Sequence, residues 1–185
     1  MQISQERDRL IENKKLLFEY LVYQLEQWKK DKHPSSKQTF TKLKLQKILF
    51  LVASLKSKDG SYPLLHIFNK FYALPYGPVE MDIYEAMNEH SFSNIDFNGN
   101  ECTPKFAEDC FKNLGTDHMN AMSDAIQTIK DMGVDYVTMS PFELVDITHK
   151  WTSWQVAMQV AEMCNSKREF MSTDDIISST VKAYR

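Results

Sequence analysis

This sequence is poor in several things whose absence narrows its function. No stretch stays apolar for long: the longest wholly apolar run is Ile48 to Ala53. A membrane-spanning helix needs roughly 20 such residues, so no segment reads as a transmembrane anchor. Cysteine is scarce, with Cys102, Cys110 and Cys164 odd in number and none in C-x-x-C spacing. Reduced thiols in a cytoplasmic protein are therefore expected, rather than a disulfide framework or a zinc ribbon. Positive charge is not in excess: 22 Lys and Arg stand against 25 Asp and Glu, for a net charge of −3. A phosphate-binding domain wants a basic surplus, so nucleic acid is not expected as the main partner. The opening MQISQERDRLIENKK is too polar for a secretory signal. There is no internal repeat, no low-complexity tract and no obvious interdomain linker.

Familiar chemical motifs are missing too. His33, His66, His90, His118 and His149 never fall at helical i,i+3 or i,i+4 spacing from one another. H-E-x-x-H, G-x-S-x-G and P-loop patterns are absent. Asp174 and Asp175 are adjacent, so on a helix they diverge by about 100° and look like partners of the helix dipole. No catalytic, cofactor-binding or metal-ligating residue is expected, and no cofactor.

What is present is an ordinary soluble balance, 43% hydrophobic and 25% charged over 185 residues. That length suits one domain with an appended element and can bury roughly two-thirds of its unfolded surface. Residues 4–30 read as one long helix, with Leu10, Leu17, Leu21, Leu25 and Trp28 on one face and Ile11, Phe18 and Val22 beside them. This helix (residues 1–33 with its ends) is either a packing element on the domain or a partner-binding arm flanking it. Residues 31–40 are a polar loop. The stretch KLKLQKILFLVAS opens with lysines and becomes apolar nearly all round, so a helix over 41–56 is expected in the middle of a bundle. Its lysines Lys42, Lys44 and Lys47 either lay their stems on apolar surface with the charge in water, or form a basic contact edge.

Further along, an aromatic segment leads to a tight loop at Gly77, with Pro78 expected at the first position of a helix and Val79, Ile83, Ala86 and Met87 on its buried face. Alternating Ile95 and Phe97 before Asn98-Gly99 predict a short β-hairpin near residues 92–104. Helices are expected over 105–113 and 116–132, with Gly115 and Gly133 as stops. Ser140-Pro141-Phe142-Glu143 forms a capping box for a short helix, and Ser172 with Asp175 supports a last helix running through IISSTVKAY. The fold class expected is mainly α, a compact single-domain helical bundle carrying that hairpin. His149-Lys150-Trp151-Thr152-Ser153-Trp154 is the most unusual cluster: a histidine beside two tryptophans either locks a corner by bonding free carbonyls or forms a recognition pocket.

Three segments, TKLKLQKILFLVA, FNKFYALPYGPVEMDIYEAM and ELVDITHKWTSW, occur in order. Together they resemble the Panacea domain, the SocA-like antitoxin family also seen in phage-associated proteins. The matching residues are Lys44, Leu45, Gln46, Lys47, Ile48, Leu49 and Phe50; then Tyr76, Gly77, Pro78, Val79, Ile83 and Tyr84; then Leu144, Thr148, His149 and Trp154. The resemblance covers roughly residues 38–182, making 38–185 a Panacea-like helical domain. Phe50 stands where tyrosine is common, and Leu74-Pro75 replace a tryptophan-containing approach to the turn. The resemblance implies a non-enzymatic, bacterial or phage antitoxin that neutralises a cognate protein toxin by direct contact, encoded by a neighbouring gene, with some relatives delivering the toxin to a protease. The motif residues are expected to be structural; partner contacts are expected from Trp28, Lys42, Lys44, Lys47 and Trp151. A proteolytic adaptor or regulatory module without a dedicated toxin is the alternative reading, and an enzyme using His149 a third.

Overall fold

The computed structural model describes residues 2–185, with side chains from Gln5 onward. The chain opens with α1 (Gln2–Lys32), followed by α2 (Lys42–Ala53), α3 (Pro63–Ile67), β1 (Phe71–Leu74), β2 (Gly77–Glu80) and α4 (Met81–Glu89). A hairpin of β3 (Ile95–Asn98) and β4 (Glu101–Pro104) comes next, then α5 (Thr116–Asp131), α6 (Pro141–His149), α7 (Thr152–Met163), β5 (Glu169–Met171) and α8 (Thr173–Ile177). The protein is mainly α, with two small antiparallel sheets: β3-β4, and a three-stranded sheet in the order β2-β1-β5.

The core forms around α2. Thr41 caps it, accepting the Lys44 N–H, and every residue from Lys44 to Ala53 is buried. A helix apolar on all sides has no solvent face to offer, so other elements must surround it. α1 lays Leu17, Phe18, Leu21, Val22, Leu25 and Trp28 into the same core. Its stripe is buried only from Lys14 onward: Leu10, expected on the core face, is 64% exposed, because the first turns of this 31-residue helix extend past the packed core. The predicted hairpin is present, turning at Asn98-Gly99-Asn100 with Gly99 at φ +59°.

Three local expectations are corrected. First, Pro78 does not begin a helix. Leu74 faces Gly77 across a two-residue turn, and Gly77 to Glu80 pair with β1 as a strand. Helix α4 starts later because the buried Glu80 carboxylate accepts the Ile83 N–H and so caps it; Val79 belongs to that strand. Second, residues 105–113 are turns instead of a helix, with Asp109 at φ +58°. Phe106 and Phe111 both pack on Tyr23, at 5.3 and 5.5 Å between ring centroids, and on each other. A five-residue spacing does not bring two side chains together on a helix. Third, the last helix ends at Ile177. Beyond it the carbonyls bond elsewhere: Val181 to the Thr152 N–H, Ala183 to the Trp151 indole, and Tyr184 to the Tyr136 hydroxyl.

Candidate functional site

The three motif segments meet at one place, the turn between β1 and β2. α2 brings Lys47, whose ammonium donates to the Pro78 carbonyl at 2.6 Å. It also brings Gln46, which clasps the Glu80 backbone: its amide oxygen accepts the Glu80 N–H at 2.9 Å and its NH2 donates to the Glu80 carbonyl. α6 brings Thr148 against Gly77 so closely that a Cβ there would lie 2.6 Å from Thr148 Oγ1 and 3.0 Å from Lys47 Cε. Gly77 also has φ +92°, so both backbone angle and space require glycine here. α7 brings Trp154, whose indole N–H donates to the Leu74 carbonyl at 3.0 Å. His149 does not bond free helix-end carbonyls; it lies flat on Trp154, centroids 3.8 Å apart at 8°, and its Nε2 is buried without a hydrogen-bond partner.

Burial sets the electrostatics of this turn. Lys47 is fully enclosed, and desolvation pushes its pKa from 10.5 down to about 7. Burial also lowers His149, the nearby Lys47 adds to that, and Asp146 and the Pro75 carbonyl oppose it. On the far side of β2, Lys14 of α1 bridges Glu80 and Asp82, at 2.7 Å to each, and Lys70 holds the other Asp82 oxygen at 2.6 Å. Desolvation raises the Glu80 pKa against the pull of Lys14. In Asp82 burial works the same way, but Lys14 and Lys70 outweigh it and hold the carboxyl below its usual range.

The turn presents aromatic surface. Tyr76 is 63% exposed and Phe142, at the start of α6, 62%; their rings meet edge to face at 6.4 Å. On α4, Tyr84 is 40% exposed and lines a pocket of about 210 Å³ with Leu43, Gln46 and Val79. Of the residues expected to touch a partner, only Lys42 is left at the surface, donating to Asn88 at 3.0 Å. Lys44 and Lys47 are not an exposed edge: both are buried, and Lys44 donates to the Val137 carbonyl at 2.6 Å, with burial moving its pKa to about 8 against the pull of Asp135. Trp28 and Trp151 are core residues. The lysines are drawn inward because the turn and the loop before α6 leave carbonyls that need donors. Sequence reasoning missed Phe142, Glu80 and Lys14. Phe142 follows Pro141 inside the capping box, a first-turn position that tends to face solvent, and this was its only signal. Among the described residues, no group of three His, Cys, Asp or Glu side chains is placed to hold a metal ion, and no helix is long and apolar enough to cross a membrane.

The protein is thus a mainly helical domain in which residues from three segments brace one aromatic turn. Residues 45–155, more than half of the chain, match the family model described as antitoxin SocA-like, Panacea domain, and the chain belongs to that family. No curated protein and no solved structure matches it.

Proposed function

We propose that this protein is a non-catalytic antitoxin that neutralises a cognate protein toxin by direct binding through the face formed by Tyr76, Phe142 and Tyr84. The observation that carries this reading is the division among the motif residues. Lys44, Lys47, Gly77, Pro78, Val79, Ile83 and Thr148 are buried and explained by the fold. Tyr76 and Tyr84 are exposed, and neither hydroxyl has a hydrogen-bond partner among the described residues. Exposed tyrosine on a rigid support is what a protein interface uses for anchoring. A standard interface of roughly 1,600 Å² centred there is ample for tight inhibition. Family membership supports the antitoxin role, and the half-buried His149, stacked on Trp154 with its Nε2 enclosed, favours binding over catalysis.

Co-expression with the protein encoded by the neighbouring gene tests it. Growth arrested by that protein is expected to recover with the intact chain. Recovery is expected to be lost with Tyr76→Ala/Phe142→Ala, while the variant's melting temperature stays near that of the parent. Full recovery with that variant would remove the assigned face.

A further inference from the structure

The two edges of the three-stranded sheet are treated very differently. Edge β2 is closed: all four of its residues are buried, Pro78 offers no N–H, Lys47 occupies the Pro78 carbonyl, and Gln46 takes both backbone groups of Glu80. Proline and inward lysine are common means of blocking an edge. Edge β5 has neither. It pairs with β1 on one side only, and Glu169, Phe170 and Met171 all line a groove of about 340 Å³. Successive strand residues point to opposite faces, so a groove touching three in a row runs along the backbone edge. Its far wall is α7, where Val156 is 53% and Val160 40% exposed, and Phe170 at 46% stands at its rim. Ser153 also lines it, buried, with its hydroxyl unpartnered. The only charged side chains in the lining are Glu169 and Asp175. Arg168, just before β5, stands 5.4 Å over the Tyr72 ring, on the sheet face where Phe170 also meets Tyr72.

We propose that this edge is a second docking site, separate from the Tyr76 face, and that it takes an extended peptide segment as an added strand. Backbone bonds to β5 supply attachment, aliphatic side chains at alternate positions fit between Val156, Val160 and Phe170, and a Lys or Arg answers Glu169 and Asp175. The occupant is therefore a basic, β-branched segment of a partner protein. The site does not depend on the identity of a toxin.

The test is titration of the full chain, followed by amide NMR, with the synthetic peptide KVTVKVTK, its acidic counterpart EVTVEVTE, and KVTPKVTK, in which proline interrupts the strand. Saturable binding of the first is expected below about 1 mM, with shifts confined to residues 153–160 and 169–180. The acidic and proline peptides are expected to bind at least about tenfold more weakly, a difference of roughly 1.4 kcal/mol. Val160→Asp, at an exposed position, is expected to weaken the basic peptide, and Glu169→Lys to reverse the charge preference. No saturable binding, shifts centred on Tyr76, an unchanged preference in Glu169→Lys, or pairing of the β5 edges of two copies in sedimentation would each overturn the proposal.

Discussion

At the scale of single residues, the turn depends on two positions, one for its enclosed ammonium and one for its missing Cβ. Lys47 is charged in the unfolded chain up to about pH 10.5, but its folded pKa is about 7. Between those values the unfolded state binds the extra proton, so the Lys47 contribution to stability rises with pH through this window and is least below pH 7. Urea denaturation between about pH 7 and pH 9 is expected to show the unfolding free energy climbing more steeply for the parent than for Lys47→Met; parallel curves would mean that the lysine is not enclosed. Gly77 makes a second case. Gly77→Ala must hold a Cβ at φ +92° against Thr148, a strain of about 1–3 kcal/mol before the clash is counted. Gly99→Ala meets nothing within 4 Å and is expected to cost only about 1 kcal/mol. Denaturation midpoints of the two variants give the comparison.

At the scale of elements, α1 is fastened to the family core by a buried charge as well as by apolar packing. The Lys14 ammonium has Glu80, Asp82 and Asn69 around it, and Glu80 has no solvent exposure. Lys14→Met leaves that carboxylate unpaired and is expected to destabilise by about 3–5 kcal/mol. Lys14→Met/Glu80→Gln is expected to recover part of the loss, since the unpaired charge is gone. Equal losses in the two variants would contradict this coupling. Elements with a strong local signature were legible in the sequence. Period-3.6 apolar spacing marked α1, α2 and α5, the Ser140 and Ser172 boxes marked the starts of α6 and α8, and Asn98-Gly99 marked the hairpin. Elements decided by distant partners were not. The strand at Gly77–Glu80 exists because Phe71–Leu74 lies beside it and α2 caps its edge. Residues 105–113 give up a helix so that two phenylalanines can reach Tyr23, and the tail after Ile177 follows carbonyl bonds to Trp151 and Tyr136. The inward turn of Lys44 and Lys47 was hidden for the same reason: a Lys-rich helix start carries no sign of the carbonyls that will face it.

At the scale of the whole molecule, the family motifs prove to be one object seen from three places in the chain. α2, the β1-β2 turn and the α6-α7 corner converge, and the polar bonds among them hold Tyr76 and Phe142 outward on a support with little freedom. Pre-arranging an aromatic contact in this way lowers the ordering cost of binding. The candidate site was thus half legible: the motif residues were identified, but which of them stay exposed depended on burial that only the assembled fold decides. The most direct measurement is amide hydrogen exchange of the chain alone and in complex with the product of the neighbouring gene. The account predicts slowed exchange on binding at residues 74–80, around Tyr84 and at 141–143, with the buried stretch Ile48 to Val52 slow in both states. Protection that leaves this turn unchanged and appears only elsewhere on the surface would contradict it.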